Sequence, residues 1–279
     1  MATIKKQEVE QCLSIILDYA IIIMQVKEEC VVLSVREAFS RQICLDYCLK
    51  EADLTDHKNH FTLFNPLEGR RTWRDDQNPF LKAVCFNNQL FMTGQQEIIH
   101  ICEENFKDFS GEWFMELKMV RQLNEILLPF GYQTDNMHPF FLPRESLDRM
   151  IPSFNVIRYQ TDEIEAFRGD QRFSDAYSFD PDARDELGIA AVDNDGHIIG
   201  MAGASSDGQY LWQIGINVLP EARGSHVAST LVNLLSHDVI SAGKIPFYGT
   251  ALSHIVSQKV AYNAGFVPGW AELSTVLIK

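Results

Sequence analysis

An α/β fold with a mixed sheet, in two parts, is the class that this sequence predicts. Three observations predict it. From Phe154 onward, strand-like runs alternate with amphipathic helical ones, the texture of layered α/β domains. The strand-like run Trp212–Val218 leads through a proline turn into a helical run with a buried stripe. The length, 279 residues, exceeds one ordinary domain, and the first 145 residues carry helices and a hairpin of their own. The expected division is a smaller mixed α/β helper domain over 1–145 and a second α/β domain over 150–279.

In the first part, residues 4–26 space Ile4, Val9, Leu13, Ile16 and Ile23 as one helix requires. Further helical patterns cover 33–51, 95–106 and 115–128, the last stopped by Pro129. Asn65–Pro79 is turn-rich and reads as a loop. Strands are expected at 80–86 and 89–93, joined by the hairpin pair Asn87-Asn88. Asn136–Pro143, an aromatic run with prolines at 139 and 143, reads as the boundary. Beyond it, strands are expected at 154–159, 187–193, 197–204, 210–218, 245–250, 266–267 and 272–278, and helices at 161–168, 224–242 and 254–264. Asp195-Gly196 folds the second of these strands back on the third.

Apolar residues make up 46% of the chain and charged residues 22%, enough to bury a core without a metal or disulfide staple. The net charge of −14 divides evenly about residue 150, so neither part is a basic patch. Such a field repels nucleic acid and anionic membranes and suits a cationic partner, although acidity also serves solubility alone. Cys12, Cys30, Cys44, Cys48, Cys85 and Cys102 all lie in the first 102 residues, mostly in apolar runs. They read as reduced, buried thiols of a cytoplasmic protein. Lys5, Lys6, Glu8 and Glu10 speak against a signal peptide. Ile15–Met24 is too short for a membrane span and contains Asp18.

The most informative segment follows Trp212–Val218. Leu219-Pro220-Glu221-Ala222 is a turn, and Arg223-Gly224-Ser225-His226 opens a helix that places Val227, Leu231, Leu234, Leu235 and Val239 on one face. Gly215, inside the strand, marks a bulge or a close approach by another backbone or a ligand. Free N–H groups and the dipole at a helix start hold anions, and Arg223 adds a cation. On these residues alone the segment is either an anion site or an ordinary strand–helix turn.

Val218-x-Pro220-x-x-Arg223-Gly224-x-x-x-Ala228 resembles the cofactor signature of the GNAT superfamily of N-acyltransferases. The helix Ser253–Ala264, followed by Gly265-Phe266, is similar to the family's next helix, and the spacing leaves room for one strand between the two. The resemblance covers about 154–279, and it admits the first part as a diverged copy of the same fold. It implies transfer of an acetyl group from acetyl-CoA to an amine acceptor, a small molecule or a peptide, by direct attack on the thioester. It assigns the cofactor to Ile216, Asn217, Val218, Arg223, Gly224, Ser225, His226, Val227, Ala228 and Ser229. One position departs: the family has glycine where this chain has His226. The second functional reading is therefore a catalytically degenerate module that binds coenzyme A or a protein partner.

Acyl transfer needs a donor for the oxyanion, a base for the ammonium and an acid for the leaving thiolate. A backbone N–H near Val218 suits the first. The family's usual acid, a tyrosine four residues before Gly265, is Ala261 here. Tyr262, about 100° around the helix, and Ser257, one turn earlier, are the substitutes the sequence offers. Gln213 cannot act as a base, and Glu272, Asp193, Glu186 and Asp185 stand unranked. The absence of cysteine from 150–279 argues against a thiol acyl-enzyme. His57-x-x-His60 reads as a loop pair and Cys44-x-x-x-Cys48 as core spacing. His138–Phe141 either lines the acceptor cleft or straps the two parts together. The helper domain is expected to cover the acceptor side and set specificity.

Overall fold

The computed structural model describes residues 33–72 and 78–279. The helix expected at 4–26, with Cys12 and Cys30, lies outside the described residues. Residues Ser34–Lys279 form one compact unit. Its elements in order are α1 Val35–Asp46, β1 His60–Leu63, β2 Leu81–Phe86, β3 Gln89–Gly94, α2 Gln96–Phe106, α3 Leu117–Leu127 and β4 Tyr132–Pro143. There follow β5 Asn155–Gln160, the single turn α4 Thr161–Ile164, β6 Asp185–Val192, β7 Ile198–Ser205, β8 Leu211–Val218, α5 Val227–Ser241, β9 Ile245–Gly249, α6 Ile255–Asn263 and β10 Phe266–Leu277. Ser34 and Glu37 close a reciprocal capping box that fixes the start of α1. Among the described residues no helix is long and apolar enough to cross a membrane.

Among the described residues ten strands form one mixed sheet in the order β1-β3-β2-β10-β4-β9-β8-β7-β6-β5. Two neighbouring pairs are parallel, β1 with β3 and β8 with β9, and the rest are antiparallel. The segment 136–143 is a correction to the boundary expected there. It belongs to β4, which lies between β9 and β10 in the middle of the sheet. Strand alternation sends its aromatics to opposite faces. Phe140 stacks on Trp270 at 4.8 Å, whereas Phe141 joins the core beneath α5 and α6. β10 is one strand where two short ones were expected. Register shifts fall at Gly269 and at Ser274, and the strand survives both. The expected division between 145 and 150 falls in the connection from β4 to β5, and β10 pairs with both β2 and β4 from the first part.

A buried ionic cluster ties the parts together. Arg71 binds Asp46 of α1 and, at 3.0 Å, Glu272 of β10. Its guanidinium also lies over the rings of Trp270 and Phe247, at 5.1 and 5.6 Å. Glu272 further accepts from Tyr47 Oη at 2.8 Å and Trp270 Nε1 at 3.0 Å, with Lys82 Nζ 3.8 Å away. Gln42 of α1 accepts from the N–H of Tyr210, just before β8. Among the described cysteines Cys102 is buried as expected, whereas Cys44, Cys48 and Cys85 are half-buried; burial pushes Cys44 up to about 11, and Cys85 and Cys102 to about 12.

Candidate active site

The site is built on the parallel pair. β8 and β9 are bonded only where Leu211–Gln213 lie beside Ile245–Phe247. Beyond that point each strand leans on its outer neighbour. β8 follows β7 as far as Val218 opposite Gly200, and β9 follows β4, with Tyr248 opposite Phe141 and Gly249 opposite Phe140. The two strands therefore diverge, and among the described residues no strand pairs with the inner edge of Ile214–Val218. Such an edge offers backbone N–H and C=O groups to an extended ligand.

At the far end of that edge the chain turns through Pro220–Ala222 into α5. Arg223, Gly224, Ser225 and His226 are exposed, Ala228 is half-buried, and Val227 and Ser229 are buried. Ser225 Oγ donates to the Ala222 carbonyl, and Ser229 Oγ to the His226 carbonyl. Arg223 Nε donates to the Val218 carbonyl at 3.2 Å, which bridges strand and loop. Val227 and Ser229 thus have backbone N–H groups to give at the helix start and no side chain. Ile216 and Val218 pack on the core below α5.

His226 is the residue that caps α5, and its φ of 61° and ψ of 12° are left-handed. That conformation explains why glycine suits the position: a Cβ there costs about 1–2 kcal/mol. The backbone of this chain adopts the turn regardless.

The opposite face of β8 shows a row of glycines. Gly188, Gly203 and Gly215 are paired side by side across β6, β7 and β8. The segment Asp175-Ala176-Tyr177 lies directly on them. A Cβ at Gly215, Gly203 or Gly188 would overlap the Asp175 carbonyl, the Ala176 carbonyl or the Tyr177 hydroxyl, respectively. Of the two meanings a strand glycine can have, Gly215 therefore shows close approach, and the β7–β8 register runs without a shift. Asn217, on this same face, clamps the segment. Its Oδ1 accepts from the N–H groups of Asp175 and Ala176, each at 2.8 Å, and its Nδ2 donates to the Asp175 carboxylate at 2.8 Å.

The two hydroxyl candidates separate. Ser257 forms a 2.8 Å hydrogen bond with Tyr248 Oη. Tyr248 is 4% exposed and stands on β9 just past its last pairing with β8. Burial raises its pKa, the Ser257 bond opposes that, and the nearby Asp175 charge adds to it, so the phenol keeps its proton. Tyr262 is 46% exposed and sets its ring edge-on against Phe141 at 5.4 Å, a packing contact. Ala261 is fully buried in the core.

The carboxylates named from sequence are engaged. Burial would raise Glu272, but Arg71 foremost, then Lys82, Trp270 and Tyr47, holds it at about 2. Asp185 accepts the N–H groups of Ser178 and Phe179, Glu186 meets Ser206 Oγ at 3.0 Å, and Asp193 sits in the β6–β7 turn. Gln213 donates its N–H to Asp207, a carboxylate pushed up to about 6 by burial. His60 pairs with Asp56 and stacks on Phe91. Cys48 Sγ contacts the backbone of Asn65. His138 lies opposite Glu272 in the β4–β10 pair.

Sequence reasoning missed Asp175 and Tyr248. No local motif marks Asp175, although Gly188, Gly203 and Gly215 on three consecutive strands were a signal that something lies across them. Tyr248 was legible as a tyrosine at a strand end, ahead of a helix whose usual tyrosine is alanine.

Residues 154–266 match the model of the acetyltransferase (GNAT) family. No curated protein matches the chain. Among solved structures it is similar to a protein of Novosphingobium aromaticivorans assigned to the GNAT acetyltransferases. That match has 14% identity and a TM-score of 0.36, and covers 52% of this chain and 66% of that one, just under two thirds of its length. A GCN5-related N-acetyltransferase-like protein of Streptococcus suis is 14% identical, with 74% and 88% covered and a TM-score of 0.42. A phosphinothricin acetyltransferase of Sinorhizobium meliloti, solved in complex with AcCoA, is 16% identical, with 43% and 88% covered and a TM-score of 0.34.

Proposed function

We propose that the protein is an N-acetyltransferase that takes its acyl group from acetyl-CoA and delivers it to an amine. The observation that carries this reading is the divergence of β8 from β9 beside the exposed start of α5. The arrangement fits the donor: nothing lies within 4 Å of a Cβ placed at Gly224, so the loop is open to a bulky anion. The thioester supplies an activated carbonyl. The N–H groups of Val227–Ser229 and the Arg223 side chain would hold the phosphates. The inner edge of Ile214–Val218 would bind the extended arm, and a backbone N–H of that edge would polarise the carbonyl. Tyr248, kept neutral and tied to Ser257, holds a proton beside the gap and would serve as the acid. Tyr262 and Asn217 have no side-chain part in this scheme.

Calorimetry with acetyl-CoA, followed by thioester assays over a panel of amines, tests the reading. Binding with turnover is expected. Absence of binding at about 1 mM ligand, an affinity below about 4 kcal/mol, would remove it. Binding without turnover of any amine would favour the second reading, a module that holds coenzyme A without catalysis. His226 is the specific feature on which that reading rests.

His226→Gly separates obstruction from adaptation. Relief of the left-handed backbone, partly offset by glycine's greater chain entropy, should stabilise the fold by about 0.5–1 kcal/mol. Acetyl-CoA should bind several-fold more tightly as the phosphates approach the backbone. Stabilisation accompanied by weaker binding would show instead that the imidazole donates to a phosphate.

A further inference from the structure

We infer that Asp175 is the residue that receives the acceptor's ammonium group, which makes a cationic primary amine the preferred substrate. The inference rests on the acetyltransferase reading. Three observations carry it.

The first is position. Asp175 crosses β8 at Gly215 and meets the Asn217 side chain, so it stands over the half of β8 that has parted from β9. Tyr248 stands on the other strand of the diverging pair, just past the last β9 residue that pairs with β8, and the Asp175 charge acts on it.

The second is construction. Three glycines in register let the 175–177 backbone lie flat on the sheet, and the Asn217 amide spends its oxygen and one N–H on fixing Asp175. Two polar contacts from one side chain hold Asp175, which is itself exposed, and a third holds Ala176 beside it. Such support is more than a surface turn needs, and it orients the carboxylate before a ligand arrives.

The third is charge. Oδ2 takes the Asn217 N–H, and among the described residues no Lys, Arg or His forms an ion pair with Asp175. An oriented carboxylate in a protein of net charge −14 recruits a cation, and an ammonium donates to it well. The ammonium then passes one proton to solvent water, its nitrogen attacks the thioester carbonyl, the C–S bond breaks, the thiolate takes a proton from Tyr248, and the Tyr248 phenolate takes the second proton from the nitrogen to leave a neutral amide.

Benzylamine, cationic at neutral pH, and aniline, neutral there, are the probes. In Asp175→Asn the amide oxygen still accepts from Asn217, so the segment keeps its place. The apparent KM for benzylamine should rise about tenfold or more, as expected when a charged hydrogen bond is lost. The KM for aniline and the affinity for acetyl-CoA should stay within about twofold. Equal changes for both amines, or none for benzylamine, overturn the inference. A direct measurement does not depend on turnover. Titrating benzylammonium into the full-length protein should shift the NMR signal of the Asn217 side-chain amide, and should not do so in Asp175→Asn. An unmoved wild-type signal also overturns it. Failure of the wild-type protein to bind acetyl-CoA in calorimetry would instead strike the underlying reading.

Discussion

Replacing Arg71 by methionine should destabilise the fold by about 3–5 kcal/mol at neutral pH, the usual penalty for removing one partner of a buried ionic cluster. Asp46 is fully enclosed and Glu272 nearly so, and Arg71 is the cation they share. Lys82 reaches Glu272 at 3.8 Å but is placed beyond ordinary hydrogen-bond distance, so compensation is partial. Methionine fills much of the volume between Phe247 and Trp270, which confines the loss to charge and hydrogen bonds. The pH dependence identifies the cause. Glu272 sits at about 2 in the native protein, below its ordinary 4.5. Its contribution is therefore complete above pH 4.5 and disappears as pH falls through 2. In the variant Glu272 loses the largest of the contacts that lower it, so less of the stability depends on its being ionised and less is lost in acid. Urea unfolding at pH 7 and pH 4 should show the gap between the two proteins narrowing in acid. A loss below about 1 kcal/mol, or a gap that widens in acid, would mean that the cluster does not hold the parts together. Phe247 adds a functional consequence. Its residue is the last on β9 to pair with β8, so loosening its ring stack disturbs the point from which the strands diverge.

Much of this geometry was legible from sequence. Local signals were sufficient where chemistry and structure are both local. The Asp195-Gly196 hairpin, the strand at 211–218, the turn at Pro220 and the stripe of α5 lie where periodicity and turn residues put them. Failures arise where tertiary contacts override local preference. Pro139 and Pro143 suggested a linker, yet both sit within β4 because the aromatics beside them are buried on both faces. Glu272 looked like one carboxylate among several, and only contacts with residues 47, 71 and 82 show that it is locked. Asp175 lay in a stretch with no regular pattern. Its significance comes from glycines in strands that are adjacent in space and distant in sequence. The left-handed His226 was visible as a departure from the family's glycine, but only the backbone shows what the glycine is for.

Residues 150–279 expressed alone should fail to fold, the largest effect expected of any change considered. The two-domain expectation treats the first 145 residues as a cover for the acceptor side. The sheet gives them a more basic part. β10 has β2 on one edge and β4 on the other, and the fragment removes both. Each lost backbone bond is worth about 1 kcal/mol net, and a twelve-residue strand bare on both edges has no way to recover them. Trp270 and Phe266 would lose their neighbours on β4, and Glu272 would lose Tyr47, Arg71 and Lys82. The loss reaches the site by a specific route. β4 is the strand that draws β9 away from β8, through Phe140 opposite Gly249 and Phe141 opposite Tyr248. Without it, nothing opposes continued parallel pairing of β8 and β9, and the gap that the donor would occupy closes. The fragment should therefore show no near-ultraviolet circular dichroism and no calorimetric signal with acetyl-CoA. A second fragment that begins at Ser34 should restore both, since it contains every described strand of the sheet. A folded 150–279 fragment that binds acetyl-CoA would show that β4 is dispensable and that the divergence of β8 and β9 is encoded in those two strands themselves.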